Sequence, residues 1–295
     1  MFFAFISVMK IGILEFRRDE FTTEVIKKLR GHKLSYINLK EWKVPLSSDY
    51  RVIVDRLSHC DMLLRELLKN YSIDGTYVIN NPFSASLSNK IIDSKICSEL
   101  GIPIPETRVF PKTDEELESE GMIEKPDWES LKGKLSFPVI FKPFDGYGWV
   151  NVYTVNSLEE LKNLYNAFKD RNVMIVQKYV SPTVYRAFCI NKKHVLIKKW
   201  NPPTTTDLSE ISDVAEKIKK WTIALNKALD FDFNSAEWCI DENGKPFLID
   251  AFNEVPLIVR RELDNEQFNW VVEKFAECIE EKATCNEKNK TIFEK

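Results

Sequence analysis

The sequence predicts an α/β domain built on a parallel sheet, followed by a longer α+β region. Three observations predict it. Apolar runs and amphipathic stretches alternate from residue 10 to residue 100. Gly101-Ile102-Pro103-Ile104-Pro105 stops that rhythm, since proline lacks an N–H and forces extended backbone. Beyond it, apolar runs pair across short turns, ending in the hairpin FDFNSAEWCIDENGKPFLIDAFNEVP at residues 231–256.

In chain order, residues 10–16 predict a strand and 21–29 an amphipathic helix. Strands follow at 34–39 and 50–55, a helix at 60–69, a short strand at 76–80 and a helix at 85–100. This βαβα order is that of a doubly wound sheet. Residues 111–134 are acidic (DEELESEG, EKPDWES) and read as an irregular surface loop. Strands are expected at 137–142 and 149–155. The helix at 158–170 is capped by Ser157, with Glu160 three residues on. Further strands are expected at 173–179, 185–190 and 194–200, the last two joined by Asn191-Lys192-Lys193. Residues 201–207 (NPPTTTD) lack periodicity and read as a mobile loop. A helix at 208–229 leads into the hairpin, and a helix at 265–281 precedes a polar tail expected to fray. The expected boundaries are 1–85 for the N-terminal domain, 86–180 and 181–281 for two α+β subdomains, and 282–295 for the tail.

Composition sets the class. The chain has 295 residues, 44% of them hydrophobic and 29% charged, enough for subdomains with real cores. A net charge of −3 argues against bulk affinity for nucleic acid. The N-terminal MFFAFISVMK is too short to span a membrane and carries no basic leader or cleavage site. Residues 1–8 read as an extension before the first strand, or as part of a longer one. Six cysteines form no C-x-x-C pair, and Cys97, Cys189 and Cys239 sit inside patterned elements. Reduced thiols of this kind point to the cytoplasm.

The hairpin carries the strongest chemical signal. Glu237 and Asp250 each interrupt an apolar strand, and Asn253 follows. A carboxylate there is costly unless it is paired or binds a cation. Oxygen ligands of this kind suit Mg²⁺. The alternative is a pair of acids facing solvent or bonded to lysine or arginine. Lys142 ends an apolar strand before a loop with Gly146 and Gly148, where an ammonium and backbone N–H groups suit a phosphate. A snorkelling lysine beside a simple turn is the plainer alternative. Gln177, Lys178, Tyr179 and Val180 end the next strand and offer backbone groups to a base edge, or form an ordinary strand end. Arg186 and the pair Lys198-Lys199 lie on hairpin partners, as an oxyanion site or a solvated face. Lys90 opens a helix and is a surface lysine by default. Asp55-Arg56, ending a parallel strand, is a candidate substrate contact or an internal ion pair.

Taken in order, Asn89-Lys90, GIPIPET, FPVIFKPFDGYG, QKYV, the Arg and Lys hairpin and the acid–Asn hairpin resemble the ATP-grasp superfamily. The resemblance is to the branch of ribosomal-protein S6 glutamate ligase and glutathione synthetase, over residues 9–261. It implies an ATP-grasp fold with an N-terminal parallel-sheet domain and two α+β subdomains. It implies ATP with Mg²⁺ or Mn²⁺, held by Glu237, Asp250 and Asn253. Lys90 and Lys142 correspond to the phosphate lysines, and Gly146 and Gly148 to the phosphate-covering loop. Gln177, Lys178, Tyr179 and Val180 correspond to the adenine segment. Arg186 corresponds to the substrate and phosphate arginine, with Lys199 as the basic residue facing it.

The family usually has Asp at Glu237. It has Glu-x-Asn where this chain has the longer Asp250-Ala251-Phe252-Asn253, and smaller residues at Tyr147 and Trp149. The implied activity is ATP-dependent ligation of a small-molecule carboxylate to an amine, an amino acid among the candidates, through an acyl-phosphate. Two rivals are an ATP-binding protein that has lost catalysis and an ATP-grasp kinase of small molecules. Residues 143–149 and 201–207 are the expected moving loops.

Overall fold

The computed structural model describes residues 8–16, 18–38, 44–146, 148–201, 208 and 211–291. In chain order the elements are β1 (Lys10–Leu14), α1 (Glu20–Lys28), β2 (Lys33–Tyr36), β3 (Val52–Asp55), α2 (Met62–Ile73) and β4 (Tyr77–Ile79). Then come α3 (Pro82–Ala85), α4 (Lys90–Glu99), β5 (Thr107–Phe110), α5 (Glu115–Ser119), α6 (Trp128–Leu131), β6 (Val139–Pro143) and β7 (Tyr153–Val155). The remainder is α7 (Leu158–Phe168), β8 (Met174–Lys178), β9 (Val184–Ile190), β10 (His194–Asn201), α8 (Ser212–Ala228), β11 (Phe233–Ile240), β12 (Pro246–Asp250) and α9 (Asn265–Thr284).

The chain divides into two compact units. The first comprises Met1–Ser88, Tyr185–Glu237 and Phe252–Lys295; the second comprises Asn89–Val184 and Trp238–Ala251.

The first unit holds the expected parallel sheet, in the order β2-β1-β3-β4. Ile11, Val52, Val54, Tyr77 and Ile79 share one core with Phe21 of α1 and with Phe268, Val271, Phe275 and Ile279 of α9. Phe188 and Ile190 of β9 and Phe233 of β11 enter the same core. β10, β9 and the first half of β11 lie side by side here. Polar staples fix the sheet's end. The Asn80 carboxamide accepts N–H bonds from Asp232 and Phe233, both at 2.7 Å, and donates to the carbonyls of Phe233 and Glu254. Buried Asp232 accepts from the Tyr77 hydroxyl at 2.6 Å and faces the ammonium groups of Lys192 and Lys282.

The tail departs from expectation. Asn289 is fully buried, and its side chain bonds both the N–H and the C=O of Val78. Arg51 also donates to the carbonyls of Cys285 and Glu287. The tail is therefore anchored at Asn289, Cys285 and Glu287, because backbone groups at the open edge of β4 need partners.

The second unit holds an antiparallel sheet, in the order β5-β8-β6-β7. Phe110, Val139, Phe141, Val155, Met174 and Val176 line one face and pack on Leu161 and Tyr165 of α7. The second half of β11 forms the hairpin with β12 through the turn at Asp241–Gly244.

Four other expectations change. Residues 111–134 contain α5 and α6, each with an aspartate N-cap, and Trp128 stacks on Phe110 and meets Tyr165 edge-on. Helices this short leave no clear period in a sequence. The expected helix at 85–100 breaks before Lys90, where the Asn89 side chain caps Ile91 and Ile92. The strand at 149–155 shortens to β7, because Trp149 and Asn151 are left-handed, with φ of 60 and 58°. β5 adds a strand the sequence reading did not mark. The loop expected at 201–207 and the extension at 1–8 lie almost wholly outside the described residues. Among the described residues no helix is long and apolar enough to cross a membrane.

Candidate functional site

In the second unit, three chain segments gather around two lysines. Cross-strand partners share a face, so pairing of Ile140 with Gln177 and of Lys142 with Ile175 sets these four residues opposite the apolar core. Lys142 is 6% exposed, and its ammonium donates to the Ile249 carbonyl of β12 at 2.8 Å. Lys90 opens α4. Its backbone N–H bonds the Phe144 carbonyl at 2.9 Å, and its ammonium donates to the Gly146 carbonyl at 2.9 Å. The same ammonium lies 3.7 Å from the Asp250 carboxylate. The start of α4, the loop after β6 and the end of β12 therefore meet at Lys90.

The loop after β6 needs its glycines. A Cβ on Gly146 would sit 2.9 Å from Pro143 Cβ, and Gly148 has a φ of +64°. Tyr147 lies outside the described residues. Gln177 is buried and donates from Nε2 to Thr107 Oγ1 at 3.1 Å. The Lys178 side chain is exposed and its N–H bonds the Glu106 carbonyl. Tyr179 and Val180 continue past the strand, half-buried.

In the first unit, Arg186, Glu237 and Trp200 come from adjacent strands. Arg186 is 5% exposed and donates from Nη2 to Glu237 Oε1 at 2.5 Å. Its guanidinium carbon lies 3.3 Å from the centre of the Trp200 ring. Its Nε is buried without a hydrogen-bond acceptor. On β10, Leu196 packs with Phe188 and Ile190 of β9, and Trp200 packs on Arg186. Alternation then puts Lys198 on this face and Lys199 on the other. Lys198, not Lys199, is thus the lysine on the Arg186 face. Burial holds its ammonium below the usual lysine range, against opposing pulls from Asp264 and Glu262.

Asn253 donates its N–H to Asn234 Oδ1 and accepts from the Ser235 N–H, so the hairpin continues past Asp250. Its carboxamide makes no hydrogen bond among the described residues. Two carboxylates and an amide oxygen suit a hard cation such as Mg²⁺. Glu237 carries the Arg186 charge and Asp250 lies near that of Lys90, so both acids are charge-balanced without one. Each residue type suits the ion on its chemistry; Glu237 and Asn253 belong to the first unit and Asp250 to the second.

Asp55 and Arg56 serve the fold instead. Asp55 accepts from the N–H groups of Leu57 and Ser58, and Arg56 bonds Asp19 and the Pro256 carbonyl. Trp200 was not singled out from sequence as a site residue, and Lys198 was named only as one of the pair Lys198-Lys199. The alternation of Leu196, Lys198 and Trp200 was the available signal.

No family model matches the chain, and no curated protein matches it. Solved structures do. A RimK domain ATP-grasp protein from Sphaerobacter thermophilus aligns with a TM-score of 0.67 at 18% identity, over 92% of this chain and 99% of its own. D-alanine–D-alanine ligase from Bacillus anthracis, complexed with ATP, aligns with a TM-score of 0.68 at 18% identity, over 94% and 97%. The ATP-grasp ligase PsnB, complexed with a phosphomimetic variant of its minimal precursor, Mg and ADP, aligns with a TM-score of 0.61 at 12% identity, over 90% and 97%. With two lysines presented beside a glycine loop and an acid-bearing hairpin, the chain has the ATP-grasp fold.

Proposed function

We propose that this protein is an ATP-dependent carboxylate–amine ligase that forms an amide bond. The observation that carries the reading is the convergence on Lys90 of the Gly146 loop and Asp250, with Lys142 fixed on the same hairpin at Ile249. Its support is the fold, shared over nine-tenths of the chain with proteins that include two ligases.

In this reading a carboxylate oxygen of the acid substrate attacks the γ-phosphorus of ATP. ADP leaves and an acyl-phosphate forms. The amine nitrogen then attacks the acyl carbon, phosphate departs, and the nitrogen loses a proton to solvent. Lys90 and Lys142 offset charge on the phosphates, and Arg186 offsets charge on the acyl-phosphate oxygens. Gly146 and Gly148 let backbone N–H groups approach the phosphates. Gln177, Lys178, Tyr179 and Val180 form the adenine segment. Glu237, Asp250 and Asn253 are the proposed magnesium ligands, and the ion supplies charge neutralisation when bound. The side chains chiefly position the reactants, and no general base is required of them.

A second reading, an ATP-binding protein without turnover, is favoured by one observation: Glu237 is already bonded to Arg186. ADP release with Mg²⁺-ATP and a panel of amino acids and small carboxylates separates the two. Release that needs both an acid and an amine, and is lost in Lys142→Ala and Asp250→Ala, supports the ligase. Nucleotide binding without release supports the second reading, and absence of nucleotide binding overturns both.

A further inference from the structure

In the second unit, the sheet face opposite Gln177 and Lys142 is apolar over most of its length, where Phe110, Phe141 and Val176 pack on α7. One end of that face is charged. Pairing sets Arg108 of β5 beside Val176, and Lys178 of β8 beside Val139 of β6. Cross-strand partners share a face, so both cations project from the core side. With Glu106 and Lys134 they line a cavity of about 60 Å³ whose buried lining is Val139 and Val176. Three cations thus surround it against one carboxylate. Glu106 accepts from Arg108 Nη2 at 2.6 Å, and Lys134 donates to Ser130 Oγ at 2.5 Å. Arg108 Nε is left buried without an acceptor. The Lys178 ammonium makes no hydrogen bond or ion pair among the described residues. A buried N–H without an acceptor is costly, and like charges around one small space repel. One bound dianion offsets both.

Charge and size narrow the ligand. The cations exceed the carboxylate by two, which matches a phosphate group near neutral pH. Pockets that enclose a whole drug-sized ligand run to about 300–1,000 Å³, so this one holds a single oxyanion group and no nucleotide. Lys134 and Lys178 are exposed, so the mouth opens to solvent and the rest of a phosphorylated molecule can lie outside. We propose that Arg108, Lys134 and Lys178 form a phosphate-binding site on the face of this sheet opposite Lys142. The ligand is inorganic phosphate or the phosphate group of a small phosphomonoester. Arg108 supplies the guanidinium N–H, and the two lysines supply charge at the mouth. The proposed adenine segment uses the backbone of Lys178, and this site uses its ammonium. The site does not rest on the ligase reading.

The test is lysine acetylation of the full-length protein by an N-hydroxysuccinimide ester, read residue by residue with peptide mass mapping. Inorganic phosphate, glycerol phosphate and acetate are the probes, at matched ionic strength. Phosphate is expected to slow acetylation of Lys134 and Lys178 several-fold and to leave exposed Lys95 unchanged. The concentration that gives half protection reads affinity at this site alone. Arg108→Met raises that concentration about tenfold or more, the scale of a lost hydrogen bond to a charged group. Lys178→Met, a change at an exposed side chain that leaves the fold intact, does the same when protection is read at Lys134. Glu106→Gln lowers it, since the competing carboxylate on Arg108 is gone. A purely structural ion pair of Arg108 with Glu106 would produce neither shift. Glycerol phosphate acting at a lower concentration than inorganic phosphate assigns a phosphomonoester, and the reverse order assigns free phosphate.

Three results overturn the proposal: neither phosphate probe protects Lys134 and Lys178, Arg108→Met and Lys178→Met are protected as wild type is, or acetate protects as well as phosphate does. The last would make the effect one of any anion near exposed lysines. Intact protection without acid- and amine-dependent ADP release would strike the ligase reading and leave this site standing.

Discussion

The side chain of Asn289 behaves as a strand residue toward Val78. Its Oδ1 accepts the Val78 N–H at 2.6 Å and its Nδ2 donates to the Val78 carbonyl at 2.9 Å. The open edge of β4 is thus closed by one carboxamide, reinforced by Ser72. Asn289→Ala leaves two buried backbone groups without partners, and the expected loss is about 2–4 kcal/mol at about 1–3 kcal/mol per buried group, less what water recovers. Removal of residues 285–295 is expected to cost at least as much. Urea unfolding measures both, and an unchanged midpoint in Asn289→Ala would refute the edge-closing role.

Lys142→Ala and Lys90→Ala are expected to lower acid-dependent ADP release by about two to three orders of magnitude, the usual scale for a charge-stabilising donor. Lys142→Ala also leaves the Ile249 carbonyl without this donor. Comparing Tm with turnover tells loss of chemistry from loss of fold. Removing Mg²⁺ with a chelator is expected to abolish release in wild type. Release that persists without a divalent ion would remove the metal from the proposed site.

Thiol chemistry gives a test independent of activity. Burial pushes the Cys97 and Cys189 thiols up to about 12 and raises Cys278 well above its usual range. Cys60 is exposed, 3.0 Å from His59 Nε2. Burial holds His59 below the usual imidazole range, so it is neutral at neutral pH and able to accept a hydrogen bond from the thiol. Iodoacetamide is expected to modify native protein at Cys60 first and to reach Cys97, Cys189 and Cys278 only after unfolding. Peptide mass mapping against time decides, and early labelling of Cys278 would contradict the packing of α9.

Glu15 gives a pH test. Its Oε2 is buried without a hydrogen bond, and burial raises its carboxyl above the ordinary 4.5. A group raised in this way contributes stability that is fully present below 4.5 and is lost as pH climbs through the folded value. Glu15→Gln cannot ionise and escapes that loss. Its Tm is expected to match wild type at about pH 4 and to exceed it by a few degrees at about pH 7. A Glu15→Gln protein less stable at neutral pH would mean that the charged carboxylate is paired in solution.

By itself the sequence determined the parallel sheet, the two hairpins, and Lys142, Glu237 and Asp250 as residues out of place in apolar strands. These are signals of period and of local chemistry, and both are written in consecutive residues. The capping Ser157 shows the limit. It accepts the Glu160 N–H as expected, yet the Glu160 side chain bonds the Asn156 N–H rather than closing the box. Tertiary structure alone decided that Asn289, in a polar tail, is a core residue, because its partner Val78 is distant in the chain. It decided that Trp128, in an acidic loop, completes an aromatic core with Phe110 and Tyr165. It also decided that Lys198 rather than Lys199 shares a face with Arg186. Two adjacent lysines are equivalent in composition, and only the packing of Leu196 and Trp200 against the neighbouring strand fixes which way each one points.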